Sequence, residues 1–308
     1  MKRRCLVFLL SALAAGCSGT TPGGPSPFGT PDPGPVVTNT PPVIGALSVQ
    51  GTRTNEPPNF ADASEEVPIT VAVTDAESQI TDLKFIWTSS AGGTFAGSGA
   101  KVIWKAPDKV DVPTSVTLTV EVVETYTSQG KQLTNNPKGS VTLSLHDSVK
   151  EVGDMAVQFL KDFSDTSIKD VPYIMRNFEP GCPGTDLETT QTVNHIADFD
   201  VLSYQAGQAA TTVHFGEVCP YNGIPGDACA QVRMHWESRA KHNLYWWWGD
   251  LYKAAGELDI QDGVDQVAAR YFKDKQRWRL CDSSWDSDNS HTLKATTPRS
   301  LVFPSSVP

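Results

Sequence analysis

The chain has 308 residues, 39 % of them hydrophobic and 19 % charged, with a formal net charge of -10. That composition is ordinary for globular protein, and the length accommodates two folded domains once the ends are trimmed. So acidic a chain, with no local run of Lys and Arg, offers no electrostatic footprint for nucleic acid, and an anionic lipid surface would repel it unless an anchor held it there.

The chain opens with "MKRRCLVFLLSALAAGCSGT". Lys2, Arg3 and Arg4 form a basic n-region, and residues 6–15 form an apolar stretch interrupted only by Ser11, too short to span a bilayer as a helix. The following "LAAGCSG" resembles the lipobox of bacterial lipoproteins. The family usually places Leu three residues before the cysteine; here Ala14 holds that position and Leu13 precedes it, a departure the family tolerates. The resemblance implies lipidation of Cys17, cleavage after Gly16 (a signal peptide of residues 1–16) and acylation of the new amino terminus. Two or three acyl chains anchor stably where one does not. Ser18, in place of Asp, implies outer-membrane delivery under enteric-type sorting.

Residues 17–42 continue as a Pro/Gly/Ser/Thr-rich segment whose one charge is Asp32. Such a segment buries little apolar surface and reads as a disordered tether, reaching about 75 Å at polyproline II rise.

Residues 43–147 alternate with period two. Val67, Ile69, Val71 and Val73 share one parity, as do Leu83, Phe85 and Trp87, then Val116, Leu118, Val120 and Val122, then Val141, Leu143 and Leu145. His146 falls on the opposite, wet parity. Turn-forming stretches such as "SSAGG" and "NNPKG" separate the runs, and the pattern predicts an all-β sandwich. The run "VPITVAVTDAES…FIWTSSAGGTF…VIWKAP…SVTLTVEV" resembles bacterial immunoglobulin-like and PKD-type domains. The antibody-type cysteine pair is missing, so Trp87 is expected against aliphatic side chains. Such modules are mostly spacers or binding units. "TDAESQITD" gathers Asp75, Glu77 and Asp82, residue types that bind calcium in cadherin-like modules; without a full ligand spacing they read as a solvated acidic turn.

The period changes at Ser148. Val149, Val152, Ala156, Phe159, Leu160 and Phe163 make one helical stripe, with Ser148 and Glu151 as a capping box. "TSIKDVPYIMRNF" predicts a second helix and residues 186–196 a third helical turn. Strands are expected at 197–205, 209–218, 228–239, 243–255, 265–273 and 276–284. Residues 148–285 thus form an α+β region, a curved antiparallel sheet wrapped on N-terminal helices. "DMAVQFLKDF" and "VAARYFKDKQRWRLCDSSW" resemble the nuclear transport factor two-like, cystatin-like cone fold, which hosts isomerases, dehydratases and inert binding domains.

Six of eight tryptophans lie in the second half of this region. In one unbroken strand, "YWWWGDLY" would put Trp246 and Trp248 on the apolar face with Leu244, and Trp247 outside with Tyr245. Trp236, Trp246, Trp248 and Trp278 then read as core aromatics that could also line a ligand pocket at the mouth of the cone. A sugar platform on Trp247 and Tyr245 is a further reading.

Cys182, Cys219, Cys229 and Cys281 remain for disulfides in an exported chain. Cys219 and Cys229 flank a Gly/Pro loop between strands, which pairs them and leaves Cys182 with Cys281; no C-x-x-C pair favours zinc. No Walker loop, dinucleotide fingerprint, nucleophile elbow or histidine metal spacing appears, so neither cofactor nor metal is expected. Asp198, Asp200, Tyr204, His214 and His235 supply acid–base residue types without a family motif, and no catalytic residue is assigned. Residues 286–308 read as a disordered tail. The expectation is a non-catalytic cell-envelope lipoprotein, attached to the membrane by its lipid and binding a protein partner or small ligand. A cone-fold enzyme and a carbohydrate-binding surface protein are the rivals.

Overall fold

The computed structural model describes residues 34–53, 56–206, 211–216, 219 and 226–287. Cys17 with its leader, most of the tether and residues 288–308 lie outside the described residues. The described chain is mostly β.

Nine strands precede the first helix: β1 (Val43–Val49), β2 (Phe60–Asp62), β3 (Glu66–Thr74), β4 (Lys84–Ser89), β5 (Thr94–Ala96), β6 (Lys101–Lys105), β7 (Thr114–Ser128), β8 (Lys131–Asn135) and β9 (Lys138–His146). They form two sheets, β1-β3-β6-β5 and β2-β9-β7-β4, with β8 paired to β7. The alternation of β3 and β7 is physical: Val67, Ile69, Val71 and Val73 from one sheet and Val116, Leu118, Val120 and Val122 from the other are all buried. Trp104, fully buried, fills the middle of the core that the sheets share and donates its indole N–H to the Gly92 carbonyl at 3.1 Å. Trp87 sits at the margin of that core, stacked on Phe95 with centroids 6.2 Å apart rather than packed on aliphatic residues alone.

Residues 34–38 and Tyr126–Leu133 make a small compact unit of their own. Within it Gln129 N–H donates to the Pro35 carbonyl (3.1 Å) and Val37 N–H to Ser128 Oγ (3.0 Å). The rest of the described chain is one compact unit that includes both these sheets and everything after them.

Helix α1 (Ser148–Ser164) follows β9 without a loop. Its N-cap is Asp147, not Ser148: the Asp147 carboxylate accepts from Lys150 N–H at 3.0 Å. Ser148 N–H instead donates to Asp62 of β2 (2.9 Å), and Ser148 Oγ accepts from the Trp278 indole (2.9 Å). Glu151, freed from a capping box, pairs with His146 Nδ1 at 2.9 Å. His146, expected on a wet face, is fully buried, because β9 runs straight under the helix and Phe60 stacks on the ring at 4.7 Å. The α1 stripe holds except at Val149, which is exposed. The second helix shrinks to α2 (Val171–Ile174) with a 3-10 turn, Met175–Asn177. Pro172 fits only a first turn, so the helix cannot extend toward Thr166. Helix α3 (Thr185–Asp198) is longer than expected.

The remaining strands are β10 (Phe199–Ala206), β11 (Thr212–Phe215), β12 (Ala228–Ala240), β13 (Leu244–Tyr245), β14 (Leu251–Lys253), β15 (Leu258–Phe272) and β16 (Arg277–Ser287). The order β10-β12-β15-β16 is antiparallel throughout, and β11 pairs with the N-terminal end of β12 on the edge that β10 uses farther along. Helix α1 covers one face through Val152, Ala156, Phe159 and Leu160 against Val232, Met234, Val267 and Leu280. The strand expected over 243–255 is broken. Trp246 N–H donates to the Asp250 carbonyl and Gly249 N–H to the Trp246 carbonyl, both at 2.8 Å, and Gly249 takes φ 99°, which a side chain rarely adopts. The chain therefore reverses at Trp247 and Trp248, and the strand parity that placed Trp246 and Trp248 in the core does not apply.

Candidate functional site

Helix α3 carries the most unusual buried surface in the molecule. Thr185, Glu188, Thr192 and His195, spaced three, four and three residues apart, face inward and are buried, while Val193 is exposed. Helices ordinarily turn an apolar stripe to a core. This one turns a polar stripe toward the helix-facing side of the β10-β12-β15-β16 sheet.

Opposite it stands a second set of polar groups. On β15, Asp265 shares the parity of Val267 and Ala269, which pack under α1, so its carboxyl enters the interior. Asp265 pairs in register with Val232 and with Trp285. On β16, the register shift between Ala268 and Ala269 resets the strand, and Ser283 beyond it donates to Glu188 at 2.9 Å. Gly184, the N-cap of α3, lies against Asp282: a Cβ there would overlap the Asp282 carboxyl group, so glycine lets that carboxylate reach the first turn, where a helix favours negative charge.

Among the described residues no Lys, Arg or His pairs with Glu188 or Asp265. Burial, then the neighbouring Asp265 and Asp282, push the Glu188 carboxyl well above the usual carboxylate range. Burial raises Asp265 to about 7, offset in part by hydrogen bonds from the Ser284 and Gln266 backbone. Burial lowers His195 to about 3, so its ring is neutral at physiological pH. Burial and the Asp265 charge also raise the Tyr204 phenol. Glu188 Oε1, Asp265 Oδ1 and Trp285 Nε1 are buried without a hydrogen-bond partner, while the His195 ring reaches the Phe163 backbone and the Tyr204 hydroxyl reaches Ser164. Buried polar atoms are rarely left so, and each costs about 1–3 kcal/mol. Their concentration along one helix and the sheet opposite makes this interior the candidate site.

His195 is held by aromatic faces: Phe163 at 4.1 Å and 17°, Trp236 at 4.9 Å and 65°, Phe199 at 5.9 Å and 19°. Trp236 packs, partly buried, against this interior, and Tyr204 pairs with it in register. Trp278 is core under α1, and Trp246 and Trp248 lie in the β13–β14 hairpin, so the four tryptophans do not form one pocket.

The other acid–base candidates stay apart. Asp198, at the end of α3, meets His242 at 3.0 Å; Asp200 lies 3.5 Å from Lys241; His214 sits on β11 opposite Cys229. His235, on the opposite face of β12 from Trp236, is held between Asp262 (2.9 Å) and Glu237 (3.3 Å), whose hydrogen bonds raise its pKa. Asp75 accepts from Glu77 N–H and Ser78 N–H, an acidic turn closed on itself. Glu56, Asp62 and Glu65 bring carboxylate oxygens within 4.8 Å of one another, but Arg53 already pairs with Glu56 and Asp62. A cleft of about 350 Å³ beside them, lined by Glu56, Asp227, Tyr271 and Lys273, is open to solvent. Disulfides join Cys182 to Cys281 (Cα–Cα 5.1 Å) and Cys219 to Cys229 (5.6 Å); the first ties the turn before α3 to β16 and so fixes one wall of the interior.

No family model and no curated protein matches this chain. Glu188, Asp265 and Trp285 were not among the residues the sequence singled out. The signal available was the spacing of Thr185, Glu188, Thr192 and His195, a helical stripe written in polar letters.

Proposed function

We infer that this chain is an exported, lipid-anchored protein of the cell envelope, acylated at Cys17, in which an immunoglobulin-like sandwich leads into a cone-like α+β region. Its role is binding, and the interior beneath α3 takes a small ligand. The observation that carries the reading is the polar stripe of α3 with its incomplete hydrogen bonds. The chemistry of the ligand follows from the donors it must satisfy. Glu188 and Asp265 offer carboxyl oxygens without a basic partner, so a compact molecule rich in hydrogen-bond donors, an amine above all, complements them.

Catalysis is the second reading, favoured by one observation: Asp265, at about 7, stands near Tyr204 and is poised as a base at physiological pH. The mature protein is tested by thermal-shift titration with small amines and amino compounds. Binding predicts a ligand that raises the melting temperature of the wild type and not of Asp265→Asn; turnover of that ligand would move the assignment to the enzyme. For the anchor, labelled palmitate should enter the wild type and not Cys17→Ala, and equal labelling rejects it.

A further inference from the structure

The β13–β14 hairpin presents aromatic surface that the core does not use. Trp247 is 87 % exposed and Trp248 53 % exposed. They are not loosely held. Trp248 stacks on Trp246 at 5.0 Å and 5°, and Trp246 in turn abuts Tyr252 at 4.6 Å and 65°. The Trp248 indole donates to the Asp250 carboxylate at 2.7 Å. Trp247 stands at 87° to Trp248, with centroids 5.4 Å apart, so the pair forms a right-angled corner. The tight turn closed by Gly249 brings the three rings together.

Leaving two large indoles in water has no folding benefit, and exposed aromatic patches of this kind mark recognition surfaces. The rim decides the partner. Asp250 borders the Trp248 ring, and farther along the hairpin the Asn243 amide donates to the Tyr245 hydroxyl at 3.4 Å, so the exposed side chains here offer both acceptors and donors. A carboxylate at the corner of a chain of net charge -10 disfavours an anionic lipid surface or an anionic polymer. A neutral glycan complements every part: the C–H face of a pyranose covers an indole, and its hydroxyls donate to the carboxylate.

We propose that Trp247 and Trp248, backed by Trp246 and rimmed by Asp250, form a binding corner for neutral, hydroxyl-rich polysaccharide. This corner is separate from the interior beneath α3 and does not depend on that reading. The test is affinity electrophoresis of the full chain through gels containing β-glucan, xylan, glucomannan or chitosan-free chitin oligosaccharide, with intrinsic fluorescence titration against cellohexaose. Retardation in at least one neutral glycan is expected, weakened about tenfold or more by Trp247→Ala and by Trp248→Ala. Ile260→Ala, an exposed apolar position on another strand, should leave it unchanged. Circular dichroism of the two tryptophan variants should match the wild type. Absence of retardation in every gel, or equal retardation by Trp247→Ala, overturns the proposal. So does a fluorescence blue shift on phosphatidylethanolamine/phosphatidylglycerol vesicles that Trp247→Ala abolishes, without glycan retardation, because the hairpin would then be a lipid-inserting element.

Discussion

The imidazole of His195 lies flat on the ring of Phe163, 4.1 Å between centroids, and hydrogen-bonds the same residue's backbone. A phenylalanine would make the same stack without the desolvation penalty. Glu188 lies two turns earlier on the same stripe of α3, its Oε2 bonded by Ser283 and its Oε1 buried without a partner.

The interior carboxylates give stability an unusual pH dependence. Asp265 is raised in the folded state, so the native protein binds more protons than the unfolded chain between about pH 4 and pH 7. Its contribution is fully present below the unfolded pKa and is lost as pH rises through about 7, about 4 kcal/mol in all. His195 has the opposite sign: depressed to about 3, it adds stability above its unfolded pKa and loses it as pH falls. Urea melts from pH 4 to 8 should show Asp265→Asn flattening the decline toward neutral pH. An unchanged pH profile in that variant would place the Asp265 carboxyl in water.

Gly184→Ala should destabilise by about 1–3 kcal/mol, because the added methyl displaces the Asp282 carboxyl from the start of α3. Equal denaturation midpoints for the two proteins would mean that Asp282 relaxes without loss.

The two residues at the start of α1 should separate cleanly. Asp147→Ala removes the N-cap, for about 1 kcal/mol. Ser148→Ala leaves the buried Trp278 indole without its acceptor, for about 1–3 kcal/mol, and should shift Trp fluorescence as well. A spectral change in Asp147→Ala and none in Ser148→Ala would reverse those roles.

The disulfides should rank by loop length. On the chain-entropy model, closing the 99-residue separation of Cys182 and Cys281 contributes about 5 kcal/mol and the 10-residue separation of Cys219 and Cys229 about 3 kcal/mol. Double Cys→Ala variants of each pair, melted in parallel, read the order; a larger loss from the short loop contradicts it.

What the sequence disclosed and what it concealed divide along physical lines. Period-two alternation is enforced wherever a strand has one wet and one buried face, so Val67 to Val73 and Val116 to Val122 were readable residue by residue. The stripe of α1 was readable for the same reason, apart from Val149. Trp246 and Trp248 were misplaced because hydrophobicity cannot distinguish a strand from a turn; the reversal depends on Gly249 and on two backbone hydrogen bonds. The helix start was shifted by one residue because Ser148 is a good cap in isolation, whereas Trp278, 130 residues away, engages its hydroxyl. The site beneath α3 was hidden most deeply. Its residues come from α3, β10, β15 and β16, and polar letters in a helix ordinarily signal a wet face, so only the sheet opposite reveals that Glu188 and His195 point inward.

If the interior beneath α3 serves a ligand, its carboxyl groups cost stability in the ligand-free protein, and thermal unfolding of Asp265→Asn at pH 7.5 tests that most directly. The variant should be about 1–3 kcal/mol more stable than the wild type, since a buried carboxyl group without a basic partner is replaced by a neutral amide. A clear loss of stability would contradict this and make Asp265 an ordinary structural residue.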